Sequence, residues 1–79
     1  MDTFVPPSQG ELEAEAMYAY KVNHPNEYRK MSQRDRAELA TLKANAVRHE
    51  AEALIAGGVY HGQAWARARK SSNLERDAD

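Results

Sequence analysis

The chain has 79 residues, of which 42% are hydrophobic and 29% are charged, and its formal net charge is −1. This length allows one small domain, and the near-neutral balance argues against a protein that coats nucleic acid. The chain has no cysteine and no apolar run long enough to span a membrane, and its first residues do not have the pattern expected of a secretory leader. A cytoplasmic protein without disulfides or membrane contact is therefore expected.

Residues 1–7 contain two adjacent prolines and are predicted to form a flexible segment. Its apolar residues Phe4 and Val5 are expected either to fold back on the core, which is the preferred interpretation, or to serve as a docking peptide. Ser8 then begins the first helix, because Ser8 and Glu11 have the spacing of a capping box. This helix is expected to run through Val22. Its predicted buried stripe consists of Leu12, Ala16, Ala19 and Tyr20.

The sequence Asn23-His24-Pro25 is predicted to end the first helix, because a residue before proline avoids the helical backbone region. Proline is tolerated in the first turn of a helix, so a short second helix is expected there with Asn23 as its N-cap. Tyr28 and Met31 are expected to face inward. The short helix would reverse the chain and place the first and third helices antiparallel.

The longest predicted helix spans about residues 33–56, which contain neither proline nor glycine. Ser32 is expected to cap its start, and Gly57-Gly58 is expected to end it in a Schellman motif with Val59. In helical projection its apolar residues cover about two-thirds of the circumference. The apolar stripe of an ordinary surface helix covers about 100° or somewhat more, so this apolar surface is unusually wide. The predicted core face consists of Ala37, Ala40, Ala44, Val47, Ala51, Leu54 and Ile55.

A second apolar side of this helix carries Leu39, Leu42, Ala46 and Ala53. Either these positions tolerate solvent in a monomeric bundle, or they pack on a second copy or a partner. We prefer the second interpretation, because a short chain has little surface to cover both sides and small domains often gain stability by association. The predicted solvated face is Glu38, Thr41, Asn45, Arg48, His49 and Glu52.

A fourth helix is predicted at residues 62–70, with Ala64, Trp65 and Ala68 on its inner side. Residues 71–79 are expected to form a frayed polar tail. Together these elements predict an all-α bundle of three or four helices, built on one long central helix, with residues 8–70 as the single domain.

No motif predicts catalysis, a metal site or a cofactor. The three histidines are scattered, and Ala53 stands where a zinc-protease helix beginning at His49-Glu50 needs its second histidine. Ser8 and Ser32 are explained as helix caps, and so small a bundle has little room for a substrate pocket. The chain is expected to be neither an enzyme nor a cofactor-binding protein.

The predicted function is non-catalytic protein–protein interaction, by a small regulator or inhibitor that binds a partner protein and forms a homodimer. Small, cysteine-free helical chains of near-neutral charge are frequent among bacterial and phage-encoded regulators, an association of size and composition and not of motif. The predicted interface residues are Tyr18, Leu42, Ala46, Ala53, Tyr60 and Trp65, the last as either a core residue or an anchor.

The alternative is a nucleic-acid-binding protein. The third helix, a glycine-containing turn and the short fourth helix have the outline of a helix-turn-helix motif. The basic helix at 63–70 would then contact DNA through Gln63, Arg67, Arg69 and Lys70. Protein interaction is preferred, because the turn is longer than in that motif and Gln63 or Ala64 stands where a branched apolar residue belongs.

Overall fold

The computed structural model describes residues 3–73 and confirms a small all-α bundle. Four helices follow one another in this range: α1 (Gln9–Asn23), α2 (Pro25–Lys30), α3 (Gln33–Ala56) and α4 (His61–Asn73). The bounds of α3 are those predicted. Residues 71–73, predicted to belong to a frayed tail, continue α4, while residues 1–2 and 74–79 lie outside the described residues.

The first helix begins with the predicted capping box. The Ser8 hydroxyl accepts a hydrogen bond from the Glu11 backbone N–H at 3.1 Å, and the Glu11 carboxylate accepts one from the Ser8 N–H at 2.9 Å. At the start of α3 the Ser32 hydroxyl accepts from the Asp35 N–H at 3.1 Å. These side chains give partners to N–H groups that have none within their own helix, so both helices begin where the sequence predicts.

The junction of α1 and α2 differs from the prediction. Asn23 is the last residue of α1, and His24 is the N-cap of α2 without a side-chain cap hydrogen bond. The His24 backbone N–H donates to the Tyr20 carbonyl at 2.7 Å, which continues the hydrogen bonding of α1 to the residue before Pro25. Asn23 therefore stays inside α1 and cannot act as the cap of α2.

The third helix ends in the predicted Schellman motif. The Val59 N–H donates to the Leu54 carbonyl at 2.9 Å, and the Gly58 N–H donates to the Ile55 carbonyl at 2.9 Å. Gly58 has a φ of 103°, whereas Gly57 has a φ of −86°. Only Gly58 therefore needs the left-handed freedom of glycine.

Replacing Gly58 by alanine is expected to lower the free energy of unfolding by about 1–2 kcal/mol, because a Cβ is strained in the left-handed region. Gly57→Ala is the matched control. A Cβ at Gly57 would lie 3.6 Å from the carbonyl oxygens of Ala53 and Leu54, which is an ordinary contact, so no loss is expected there. Chemical denaturation measures both variants, and equal losses would contradict the assignment of the cap.

The core lies where α1, α3 and α4 meet. Its buried cluster consists of Leu12 from α1, Ala44, Val47 and Ala51 from α3, and Trp65 and Ala68 from α4. Phe4 from the N-terminal segment packs against this cluster, as predicted, and so does Ile55. Val5, predicted to fold back with Phe4, is instead 76% exposed. Alanine supplies half of the cluster, so the packing depends on close approach of the helix backbones.

The first and third helices run antiparallel, as predicted. Near the start of α1, Gln9 donates to the Asn45 side chain at 3.4 Å and accepts from Arg48. Further along α1, Glu13 accepts from the Thr41 hydroxyl at 3.1 Å. Thr41, Asn45 and Arg48 were expected on a purely solvated face, but side chains of α1 bind along it.

The buried face of α3 is shorter than predicted. A helix of 13 residues such as α4 is about 20 Å long, whereas the 24 residues of α3 extend for about 36 Å. α4 therefore covers only part of α3, and the predicted core residues differ in burial. Ala40, Ala44, Val47 and Ala51 are buried, Leu54 and Ile55 are half-buried, and Ala37 is exposed. The predicted stripe of α1 shows the same pattern, with Leu12 and Ala16 buried and Ala19 and Tyr20 half-buried.

Candidate protein interface

One face of α3 is left open by the other described residues. Leu42 is 68% exposed, Ala46 and Ala53 are also exposed, and Leu39 is half-buried. In helical projection these four residues lie within about 60° of one another. On the second apolar side predicted for α3, residues 3–73 therefore leave Leu42, Ala46 and Ala53 exposed and cover Leu39 only in part.

This side of α3 has the spacing of a coiled coil. From Leu39 the residues follow in steps of three and four through Leu42, Ala46 and His49 to Ala53. Such spacing keeps every residue of the series directed at a partner helix along the full length of the contact. We call this series (Leu39, Leu42, Ala46, His49 and Ala53) the α3 seam.

The Leu42 side chain lines two shallow, open grooves. The first has a volume of about 440 Å³ and is lined by α3 alone, with Ala37 and Thr41 beside Leu42. The second has a volume of about 530 Å³ and is lined in part by Tyr20 and Met31. The surface around Leu42 is therefore open on the α3 side and on the side of α1 and α2.

A separate groove lies between the C-terminal half of α1 and α2. It has a volume of about 440 Å³, and no acidic residue is among those that line it. Tyr18 is 70% exposed and Val22 is 58% exposed, although both are apolar over most of their surface. We call this feature the α1–α2 groove, lined by Tyr18, Lys21, Val22, Pro25, Tyr28 and Arg29.

Tyr28 in this groove is held in place from α3. The Arg36 guanidinium carbon lies 4.0 Å from the centroid of the Tyr28 ring, and the same side chain donates two hydrogen bonds to the Tyr28 carbonyl, at 2.9 and 3.2 Å. The Lys21 ammonium lies 5.7 Å from that ring centroid. Cation–π contact and hydrogen bonding together fix the ring, so the groove has a firm inner surface.

The six predicted interface residues do not form one surface. Leu42, Ala46 and Ala53 lie together on the α3 seam, whereas Tyr18 lies in the α1–α2 groove. Tyr60 is 59% exposed, and its ring lies 6.3 Å from that of His61 at the start of α4. Trp65 is only 6% exposed and belongs to the core cluster, so of its two predicted roles the structure supports the core residue and not the anchor.

Sequence reasoning missed the α1–α2 groove, although one signal was present. Tyr18 and Val22 are four residues apart, so they lie side by side on the surface of α1. The contribution of Tyr28 could be recognised only once α2 had been placed against α1. Tyr18 was predicted as an isolated contact, but the structure makes it one wall of a groove.

One of the four residues predicted to contact nucleic acid, Arg69, forms an ion pair with Glu15. The Arg69 Nε donates to the Glu15 carboxylate at 2.9 Å, and its Nη2 contacts the other carboxylate oxygen. This hydrogen bond raises the pKa of Arg69 against the opposing effect of burial. Gln63, Arg67 and Lys70 are exposed, whereas the positive charge of Arg69 is paired with Glu15, which weakens the case for nucleic-acid binding through these four residues.

Within residues 3–73 no three His, Cys, Asp or Glu side chains come together as metal ligands would. Over the same range, none of the helices combines the length and the hydropathy needed to cross a bilayer. Comparisons with protein-family models, curated proteins and solved structures found no match to this chain. The functional proposal therefore rests on the chain's own surfaces.

Proposed function

We propose that this chain is a non-catalytic protein–protein interaction module, a small cytoplasmic regulator that self-associates through the α3 seam and binds a partner protein. The observation that carries the proposal is the 68% exposure of Leu42 on a face of α3 where Ala46 and Ala53 are also exposed, at the spacing of a heptad repeat. A contiguous exposed apolar surface marks an interaction site more often than scattered apolar residues do.

A second copy of the chain is the occupant that best suits the α3 seam. If two copies pair antiparallel with Ala46 opposite the second copy's His49, each Leu42 faces the second copy's Ala53. Large side chains then pack against small ones along the contact. The same register brings Lys43, beside the seam, within one helical turn of the second copy's Glu50.

Leu42→Glu is expected to convert a dimer of the 8.9 kDa chain into a folded monomer. In a dimer of the variant, each copy would bury one glutamate carboxylate in the contact without a cationic partner. Burying an unpaired charge costs several kcal/mol. Light scattering measures the mass, and circular dichroism checks that the helix content is retained.

Tyr18→Glu is the matched control for this experiment. Tyr18 is 70% exposed, close to the 68% of Leu42, but lies on α1 away from the seam. Its replacement should leave the dimer intact. A monomeric wild-type chain, or a dimer that persists in Leu42→Glu, would exclude self-association through the α3 seam.

A further inference from the structure

We infer that the α1–α2 groove binds an acidic segment of a partner protein, with an apolar side chain of that segment inserted between Tyr18 and Val22. The inference names the class of partner for the interaction module proposed above, but it uses a different surface and does not require self-association. It rests on three observations: the shape of the groove, its charge and its position relative to the α3 seam.

The shape of the groove suits an inserted side chain. Tyr18 and Val22 form one wall, and the Tyr28 ring is fixed by Arg36 4.0 Å away. The volume of about 440 Å³ lies within the range of about 300–1,000 Å³ usual for ligand pockets. A firm aromatic surface loses little conformational entropy on binding, which favours tyrosine as a contact residue.

The positive charge of the groove favours binding of an acidic segment. Lys21 and Arg29 line it, and no carboxylate does. The Arg29 Nη2 donates to the Asn26 side chain at 2.9 Å, which holds the guanidinium beside the groove. Residues 1–20 carry four acidic side chains and no basic one, so the positive charge of the groove comes from Lys21 and Arg29 and not from the earlier part of α1. Opposite charges on a partner would increase both the association rate and the specificity of binding.

Nucleic acid is a poorer occupant of the same groove. Affinity for nucleic acid comes mainly from many phosphate contacts, and two cations can neutralise few phosphates. The exposed apolar area of Tyr18 and Val22 would also gain nothing from a phosphate backbone. An apolar side chain flanked by Asp or Glu uses both the apolar wall and the two cations.

The groove remains accessible when the α3 seam is covered. Gln9 and Glu13 on one side of α1 hydrogen-bond to α3. Tyr18 and Val22 lie about half a turn around the helix from that side, at about 100° per residue. A dimer formed through α3 therefore presents two grooves, and a partner with two acidic segments would bind it with increased avidity.

Selection of a random peptide library on the immobilised wild-type chain tests the inference. Enriched peptides are expected to contain a large apolar residue flanked by Asp or Glu. Binding of the most enriched peptide is then measured by fluorescence polarisation. Tyr18→Ala, and separately the double variant Lys21→Glu with Arg29→Glu, should each weaken it by at least about tenfold. All three positions are exposed, so the variants should remain folded, which circular dichroism checks.

A charge-swapped peptide separates charge recognition from a general loss of structure. Lysines in place of the acidic residues of the selected peptide should restore binding to the charge-reversed double variant and abolish binding to the wild-type chain. Leu42→Glu should bind the original peptide with unchanged affinity, since Leu42 lies outside the groove.

Several results would overturn the inference. These are enrichment of neutral or basic peptides, no enrichment above a Tyr18→Ala bait, full affinity in the groove variants, or displacement of the peptide by duplex DNA. Loss of peptide binding in Leu42→Glu alone would move the site to the α3 seam, which overturns the groove and leaves the proposed function standing. Peptide binding by a monomeric wild-type chain would support the groove and reject the dimer.

Discussion

Replacing Trp65 by alanine is expected to leave most of the chain unfolded at room temperature. Trp65 is 6% exposed and is the largest side chain in the cluster that joins α4 to α1 and α3. Truncating a buried tryptophan costs about 3–5 kcal/mol. A domain of this size rarely has more than about 3–5 kcal/mol of stability from its core. The loss is therefore comparable to the whole free energy of unfolding.

Far-UV circular dichroism and thermal melting measure this effect, at one fixed protein concentration because self-association adds to apparent stability. Tyr60→Ala is the control, since it removes a large aromatic side chain that is 59% exposed just before α4. It should change the free energy of unfolding by no more than about 0.5 kcal/mol. A cooperative melt of Trp65→Ala at the wild-type temperature would show that this side chain does not hold α4 in place.

The helix ends were predictable because local chemistry determines them. The Ser8 and Glu11 side chains cap the start of α1, and the Ser32 side chain caps the start of α3. Each accepts a hydrogen bond from a backbone N–H three residues away in the sequence. Gly58 ends α3 because it can take a positive φ that other residues avoid. The inner side of α4 was equally accessible to sequence reasoning, because Trp65 and Ala68 lie on one face of that helix.

The contacts between helices were not predictable in the same way. Glu15 and Arg69 are 54 positions apart and pair because α4 lies against α1. Arg36 reaches the Tyr28 carbonyl only because α2 turns toward the start of α3. Such contacts depend on how the helices cross, which the periodicity of any single helix does not specify. The α1–α2 groove was missed for this reason. The apolar residues of the α3 seam lie on one helix and were predicted as one side of it, whereas His49 was predicted on the solvated face.

Replacing Ala51 by leucine is expected to lower the free energy of unfolding by about 1–3 kcal/mol, because the added atoms enter a filled core. Ala51 is completely buried in the cluster that includes Val47 and Trp65. The close approach of α3 and α4 depends on small side chains at this position, so a larger one must displace its neighbours or separate the helices. Chemical denaturation measures the loss.

Ala53→Leu provides the matched comparison, two residues further along the same helix. Alanine and leucine have similar helix propensities, so the two variants differ mainly in what surrounds the added atoms. Ala53 is exposed on the α3 seam, where the larger side chain should leave the monomer's stability unchanged and tighten self-association against the second copy's Leu42. Equal destabilisation by both variants would show that both sides of α3 are covered within one chain. In that case α3 would have no free apolar side to offer a second copy, and Leu42→Glu would be expected to damage the monomer itself.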